Sequence, residues 1–95
     1  MTDKFHFQEK QLTFDNAYKV LKLIKKWLYL QKNSQISLDL SRIDYIDSAG
    51  VAILVELKRI THVNLKKNLI LKCSDQIMQM IGFYELEGLL EKSDE

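Results

Sequence analysis

Residues 36–59, with the sequence ISLDLSRIDYIDSAGVAILVELKR, constrain the fold more than any other part of the chain. In residues 36–40 apolar and polar side chains alternate, as they do in a half-buried β-strand. A short spacer leads to the tetrapeptide Asp-Ser-Ala-Gly at 47–50, and a helical pattern then runs from about Ala49 to His62. A strand, a polar turn and a helix in succession indicate a unit in which the helix crosses back over a sheet.

The turn at residues 47–50 has the chemistry of a helix N-terminus. The side chains of Asp47 and Ser48 can accept hydrogen bonds from the first unpaired backbone N–H groups of a helix, and a carboxylate is favourable near the positive end of the helix dipole. Gly50 permits close approach of a backbone or a partner, although glycine lowers helix stability relative to alanine. We predict that this turn caps the second helix.

A first, amphipathic helix is predicted between Asn16 and about Gln31, with Asp15 as its cap. Its apolar positions recur at intervals of three and four: Ala17, Val20, Leu21, Ile24, Trp27 and Leu28. The lysines fall elsewhere, at 19, 22, 25 and 26. They form either a solvated face or a basic surface for an acidic partner or an anionic membrane.

The remaining elements are shorter. Phe5 and Phe7, and later Leu12 and Phe14, alternate with polar residues and predict two half-buried strands around a turn at 9–11. Residues 68–72 predict another strand. A last helix is predicted from Asp75 to Gly82, capped by Ser74, with Ile77, Met78 and Ile81 facing inward. Leu86, Leu89 and Leu90 predict one or two further helical turns.

The order of strands and helices predicts an α/β sandwich with parallel neighbours joined by helical crossovers. A chain of 95 residues with 46% apolar content holds one core, so we expect a single domain over residues 1–95. The near-neutral formal charge of +1 argues against nucleic acid as a partner. The longest apolar run, Val51 to Val55, is far short of the roughly 20 residues that span a bilayer, so no membrane insertion is expected. A single cysteine, Cys73, fits the reducing cytoplasm.

Three carboxylates, Asp39, Asp44 and Asp47, gather near the end of a predicted strand, where α/β sheets often place active sites. They could hold Mg²⁺ or act as acid and base. Each also has a structural interpretation: Asp47 as a cap, Asp44 in a loop and Asp39 on the outward side of a strand. The sequence shows no phosphate loop, no nucleophile pattern and no histidine or cysteine cluster; His6 and His62 are expected at the surface or in an interface. We expect no metal, no cofactor and no catalysis.

Residues 36–59 resemble the signature of STAS domains, the family named from sulfate transporters and anti-sigma-factor antagonists. That signature pairs an alternating strand ending in Asp-Leu-Ser with an Asp-Ser-Ser-Gly or Asp-Thr-Gly-Gly turn at the start of a helix. The resemblance implies a STAS-like sandwich, with a small mixed β-sheet and helices packed mainly on one face. It also implies a non-catalytic binding domain.

The position before the glycine separates two branches of this family. In phosphorylation-switched antagonists the modified serine immediately precedes the glycine, but here that residue is Ala49. Ser48, one residue earlier, remains a candidate phosphorylation site, with a signalling switch as the alternative function. The STAS subunit of Mla-type phospholipid ABC transporters also has a small residue before the glycine. This resemblance implies a cytoplasmic subunit, peripheral to the inner membrane, that binds the transporter ATPase, stabilises its active form and so helps to maintain outer-membrane lipid asymmetry.

The second helix is predicted to have two apolar faces. Ile53, Leu54, Leu57 and Ile60 would lie on the sheet, whereas Val51 and Val55, flanked by Ala52, would point away from it. Exposed apolar side chains beside polar ones are typical of a contact surface, although exposed valines can also be without function. The predicted partner-binding residues are Asp47, Ser48, Ala49, Val51, Ala52 and Val55. A Val51→Glu variant is then expected to fold and to lose its partner; dimerisation of the isolated chain is left open.

Overall fold

The computed structural model describes residues 2–82, which form five strands, three α-helices and one π turn. In chain order they are β1 (Thr2–His6), β2 (Gln11–Leu12), α1 (Ala17–Leu30), β3 (Gln35–Asp39), β4 (Tyr45–Ile46), α2 (Ser48–Arg59), the π turn (Ile60–Asn64), β5 (Asn68–Lys72) and α3 (Asp75–Gly82). The predicted leucines of a further turn, Leu86, Leu89 and Leu90, lie outside the described residues. No helix within residues 2–82 has the length and apolar character needed to cross a bilayer.

The strands form two parallel ladders. The main sheet has the order β1-β3-β5, and the shorter ladder pairs β2 with β4. The α/β class is therefore confirmed, but the sheet is parallel rather than mixed in every pairing among residues 2–82. The first two strands do not form a hairpin, because each pairs with a strand that lies beyond α1 in the chain.

One face of the main sheet carries the core. Ile36 and Leu38 of β3 lie in register with Leu69 and Leu71 of β5, and all four are buried. They belong to one hydrophobic cluster with the inward residues of the helices: Ala17, Val20, Ile24, Leu28, Val51, Ile53, Leu54, Leu57, Ile77 and Ile81. The helices thus pack on one side of the sheet, as the resemblance implied. The amphipathic patterns in the sequence predicted most of these core residues.

Two detailed predictions about the helices are wrong, and one is confirmed. Asp15 does not cap α1; the N-cap position is Asn16, whose Oδ1 accepts a hydrogen bond from the Thr13 backbone N–H at 2.9 Å, within the preceding loop. Met78 is exposed rather than inward. Ser74 does cap α3, since its Oγ accepts a hydrogen bond from the Ile77 N–H at 3.3 Å.

Candidate docking surface at the start of helix α2

Asp47 ties the start of α2 to the loop before α1. Its Oδ1 accepts a hydrogen bond from the Gly50 N–H at 3.0 Å, and its Oδ2 accepts one from the Phe14 N–H at 3.1 Å. Partial burial raises the pKa of Asp47, but the N–H groups of Gly50, Phe14 and Ala49 stabilise the carboxylate and hold the pKa below its ordinary value. The predicted cap is confirmed, and it also joins two segments that are distant in sequence.

Gly50 lies where only glycine fits. A Cβ built on it would come within 2.2 Å of the Leu12 carbonyl oxygen and 2.6 Å of Ile46 Cγ1. Leu12 and Ile46 are paired in the short β2–β4 ladder, so the first turn of α2 packs directly against that ladder. The missing side chain serves the domain's own packing here, and no partner is needed to explain it.

Val51 was predicted to point toward a partner, and this is wrong. Only 3% of its surface is exposed, and it belongs to the hydrophobic core. Val51 lies in the first turn of α2, which packs closely against β2 and β4 at Gly50, and a helical wheel does not include such neighbouring segments. A Val51→Glu variant would place a charge in the core, so we now expect it to unfold rather than to lose a partner selectively.

The other residues proposed for contact divide into two groups. Ser48, Ala52 and Val55 are exposed, with 40% of the Val55 surface accessible, and their spacing of four and three places them on one outer face of α2. Ala49 is partly buried and packs against the core, and Asp47 is half-buried in its capping role. Of the predicted contact residues, only Ser48, Ala52 and Val55 are therefore exposed on α2.

Phe14 is a further exposed apolar residue, although the alternating pattern around it predicts a half-buried strand. It lies in the loop between β2 and α1, and 78% of its surface is exposed. Its backbone bond to Asp47 places it beside the start of α2. The helix is predicted to start at Asn16, so close to Phe14 that this spacing already favoured a loop over a strand at Phe14. We call Phe14, Ser48, Ala52 and Val55 together the docking surface.

A basic and aromatic strip on α1 adjoins this docking surface. Helix α1 packs beside α2 and carries four lysines and no acidic residue. Tyr18, Lys22, Lys25, Lys26 and Tyr29 line a shallow groove of about 530 Å³, in which the Lys22 Nζ lies 5.4 Å from the centre of the Tyr18 ring. On α2, Glu56 forms an ion pair with Arg59 at 2.7 Å. This pair, together with the charge of Lys25, lowers the pKa of Glu56.

The three aspartates near the strand ends have separate positions and hydrogen-bond partners. Asp39 Oδ1 accepts a hydrogen bond from the Ser41 N–H at 2.9 Å, and its Oδ2 lies 3.0 Å from His6 Nδ1. Asp44 is exposed in the loop before β4. Asp47 caps α2. Within residues 2–82 no three or more histidine, cysteine, aspartate or glutamate side chains are grouped as a metal site would require.

Comparison with known proteins gives one family. Residues 10–91 match the family model described as Mlab, STAS domain, which covers most of the chain and includes every residue of the docking surface. No curated protein matches the chain closely enough to count as a relative. STAS domains are generally non-catalytic and act through binding. The parallel sheet, the Asp47 turn and this match together show that the chain belongs to the STAS domain family and is MlaB-like within it.

Proposed function

We propose that this chain is a non-catalytic subunit that binds the ATPase of a phospholipid-transporting ABC complex through the docking surface and stabilises the assembled, active ATPase. The observation that carries the proposal is the exposed apolar face formed by Phe14, Ala52 and Val55 around a rigid, capped helix start. A pre-organised apolar face loses little conformational entropy on binding, which favours a protein partner. The MlaB-like family match supports the choice of partner.

The docking surface also predicts the chemistry of the partner. Lys22 and Lys25 lie on the helix next to α2, and α1 contributes no negative charge of its own. A complementary surface would therefore have an apolar centre for Phe14 and Val55 and acidic residues on the side that meets α1. In this arrangement the subunit lies in the cytoplasm, at the membrane only through the transporter, and helps to maintain lipid asymmetry of the outer membrane.

Stabilisation of the ATPase follows from differential binding. A subunit that binds only the assembled form of its partner shifts the partner's equilibrium toward that form by its difference in affinity. No chemical step by this chain is needed. Asp39 and Asp47, the carboxylates with the strongest claim to acid–base work, are engaged in hydrogen bonds that explain their presence.

The direct test is co-purification of the tagged chain with an ABC ATPase from membranes in mild detergent, followed by affinity measurements on purified components. Phe14→Ala and Val55→Glu should each lower the affinity by about tenfold or more, as expected for central apolar contacts. Leu30→Glu is the matched control, because Leu30 is also exposed and apolar but lies at the far end of α1. Circular dichroism should show that all three variants fold.

Two results would count against this proposal. A chain that never retains an ABC ATPase removes its basis, and a Leu30→Glu variant that loses as much affinity as Val55→Glu shows that the contact lies elsewhere. Lys22→Glu adds a further measurement: it should slow association and change the salt dependence of the rate if the partner is acidic beside α1.

The alternative function is a signalling switch controlled by phosphorylation of Ser48. One observation favours it: the Ser48 side chain is exposed in the first turn of α2, where a phosphate would interact favourably with the helix dipole. Ala49, however, occupies the position that the phosphorylated serine has in the family's antagonists. Mass spectrometry decides between the two. A phosphate on Ser48 in growing cells supports the switch, and its absence in all growth conditions counts against the switch.

A further inference from the structure

A second concave site lies at the opposite end of the sheet from the docking surface. It is a cleft of about 720 Å³ formed where β3 and β5 begin and where the π turn ends. The described residues that line it include no aspartate or glutamate, but they do include His62, Lys66 and Lys67. Ser34, Gln35 and Asn68 also line the cleft. The residues that line it thus carry positive charge and several polar side chains.

Two backbone irregularities build this cleft. The helical path after Arg59 changes to a π turn over Ile60–Asn64, which brings His62 and Val63 to the cleft wall. Lys66 then has φ 57°, a left-handed conformation that side chains other than glycine rarely adopt. Irregularities of both kinds are frequent at functional sites, and they persist only where the surrounding structure holds them in place.

The surrounding hydrogen bonds hold the cleft rigidly. The buried Thr61 hydroxyl donates to the Leu57 carbonyl at 2.7 Å, and the Lys67 N–H donates to the Thr61 carbonyl at 2.9 Å. The Lys67 Nζ donates to the Gln31 carbonyl at the end of α1. The amine of Lys67 is therefore committed to the fold. Lys66 and His62 are exposed on the wall and take part in neither of the two ion pairs within residues 2–82, whereas Lys67 also interacts electrostatically with the Asp3 carboxylate.

We propose that this cleft binds a phosphoryl group, with Lys66 as the principal cation and His62, Asn68 and Ser34 as further hydrogen-bond donors. A phosphoryl group presents several acceptor oxygens, so it can use donors that converge from the π turn and from both strand ends. A cation would find no carboxylate among the described lining residues. The group could belong to a lipid headgroup or to a soluble phosphate, and Val63, with 53% of its surface exposed, offers an apolar contact beside it. The site is independent of the proposed function.

The test is a titration of the full chain with inorganic pyrophosphate, followed by ¹⁵N–¹H NMR. Saturable shifts should appear at the amides of residues 34, 35 and 62–68. Lys66→Asn removes the charge and suits the left-handed backbone, because asparagine tolerates that conformation. It should raise the dissociation constant by about tenfold, as should His62→Gln to a smaller degree. Lys72→Gln is the matched control, since it removes one exposed charge at the other end of β5 and should leave binding unchanged.

The proposal is overturned if no saturable shift appears by about 10 mM pyrophosphate, a concentration well above a millimolar dissociation constant. It is also overturned if Lys72→Gln weakens binding as much as Lys66→Asn, because the effect is then one of net charge alone. Co-sedimentation with vesicles identifies the source of the phosphoryl group. Binding to phosphatidylglycerol vesicles that pyrophosphate displaces and Lys66→Asn weakens indicates a lipid headgroup. Pyrophosphate binding without vesicle binding indicates a soluble phosphate.

Discussion

The two ends of helix α2 are built on different principles. At the first turn, Gly50 lies against the Leu12 carbonyl, Val51 is buried, and Asp47 closes the turn with two hydrogen bonds. At the last turn the helix widens into the π turn and opens onto a polar, basic cleft. Tight packing fixes the first end, beside which Ser48, Ala52 and Val55 are exposed on the outer face. At the second end, backbone irregularity held by hydrogen bonds leaves cationic side chains accessible.

The two valines that were predicted to face a partner show the same contrast within one helix. Val51 and Val55 are four residues apart, a spacing that places side chains on the same side of a helix. Val51 is 3% exposed and Val55 is 40% exposed. The first turn lies against the β2–β4 ladder, as the contacts at Gly50 show, whereas Val55 lies one turn beyond. The burial of a helix residue therefore depends on what a neighbouring segment covers as well as on its angle around the axis.

Gly50→Ala should have the largest effect on stability, because it disrupts the tightly packed first turn of α2. The added Cβ would lie 2.2 Å from a backbone oxygen that cannot move alone. We expect a loss of about 3 kcal/mol in the free energy of unfolding, measured by urea denaturation. Ala52→Gly, on the exposed face of the same helix, should lose only about 1 kcal/mol, from helix propensity. Wild-type stability in Gly50→Ala would show that the first turn can move away from β2.

Val51→Ala should come next, with a loss of about 2 kcal/mol in the free energy of unfolding. The cause is the cavity left where a buried side chain packs in the core. Urea denaturation followed by circular dichroism measures it. If the loss were as small as that expected of an exposed valine, Val51 would be accessible in solution and the packed first turn would be open.

Asp47→Ala should cost about 1 kcal/mol at neutral pH, since it removes the cap of α2 and the link to Phe14. Because the pKa of Asp47 is lower in the folded chain than in the unfolded chain, its contribution is present at neutral pH and is lost as the pH falls below about 4. The variant should lack this part of the acid-induced loss of stability.

Urea denaturation at a series of pH values, from pH 7 to below the ordinary pKa of aspartate, measures this difference in stability between the variant and the wild type. Asp44→Asn removes a charge from an exposed position in the loop just before β4 and is the matched control. An Asp47→Ala variant whose stability falls with acid as steeply as that of the wild type would contradict the role of this carboxylate.

Val55→Ala should have the smallest effect on folding, below about 0.5 kcal/mol, because the side chain is exposed. Its effect should appear in partner binding instead, and this sharpens the contrast with Val51. Thermal and urea denaturation provide the stability measurement. A loss comparable to that of Val51→Ala would mean that Val55 packs against α1 and cannot serve as a contact residue.

Much of this molecule could be predicted from short-range patterns. The periodicity at Ala17, Val20, Ile24 and Leu28 predicted the buried side of α1, and the Asp47 turn predicted the start and the cap of α2. These features depend on neighbours within one or two helical turns, so a local sequence contains the information. The predicted cap at Asp15 and the predicted inward position of Met78 are wrong. In each case the fold uses the adjacent residue, Asn16 as the cap and Ile77 as the buried side chain.

The sequence by itself determined the α/β class, the order of most elements, the apolar side of each main helix and the capped turn that identifies the family. Only the tertiary structure decided that Val51 is buried, that Phe14 is exposed beside α2, and that His62 and Lys66 share a cleft. The physical reason is distance along the chain. Local hydrogen bonds and periodicity act over a few residues, whereas these outcomes depend on contacts such as Leu12 with Gly50 and Phe14 with Asp47, which form only when the parallel strands bring remote segments together.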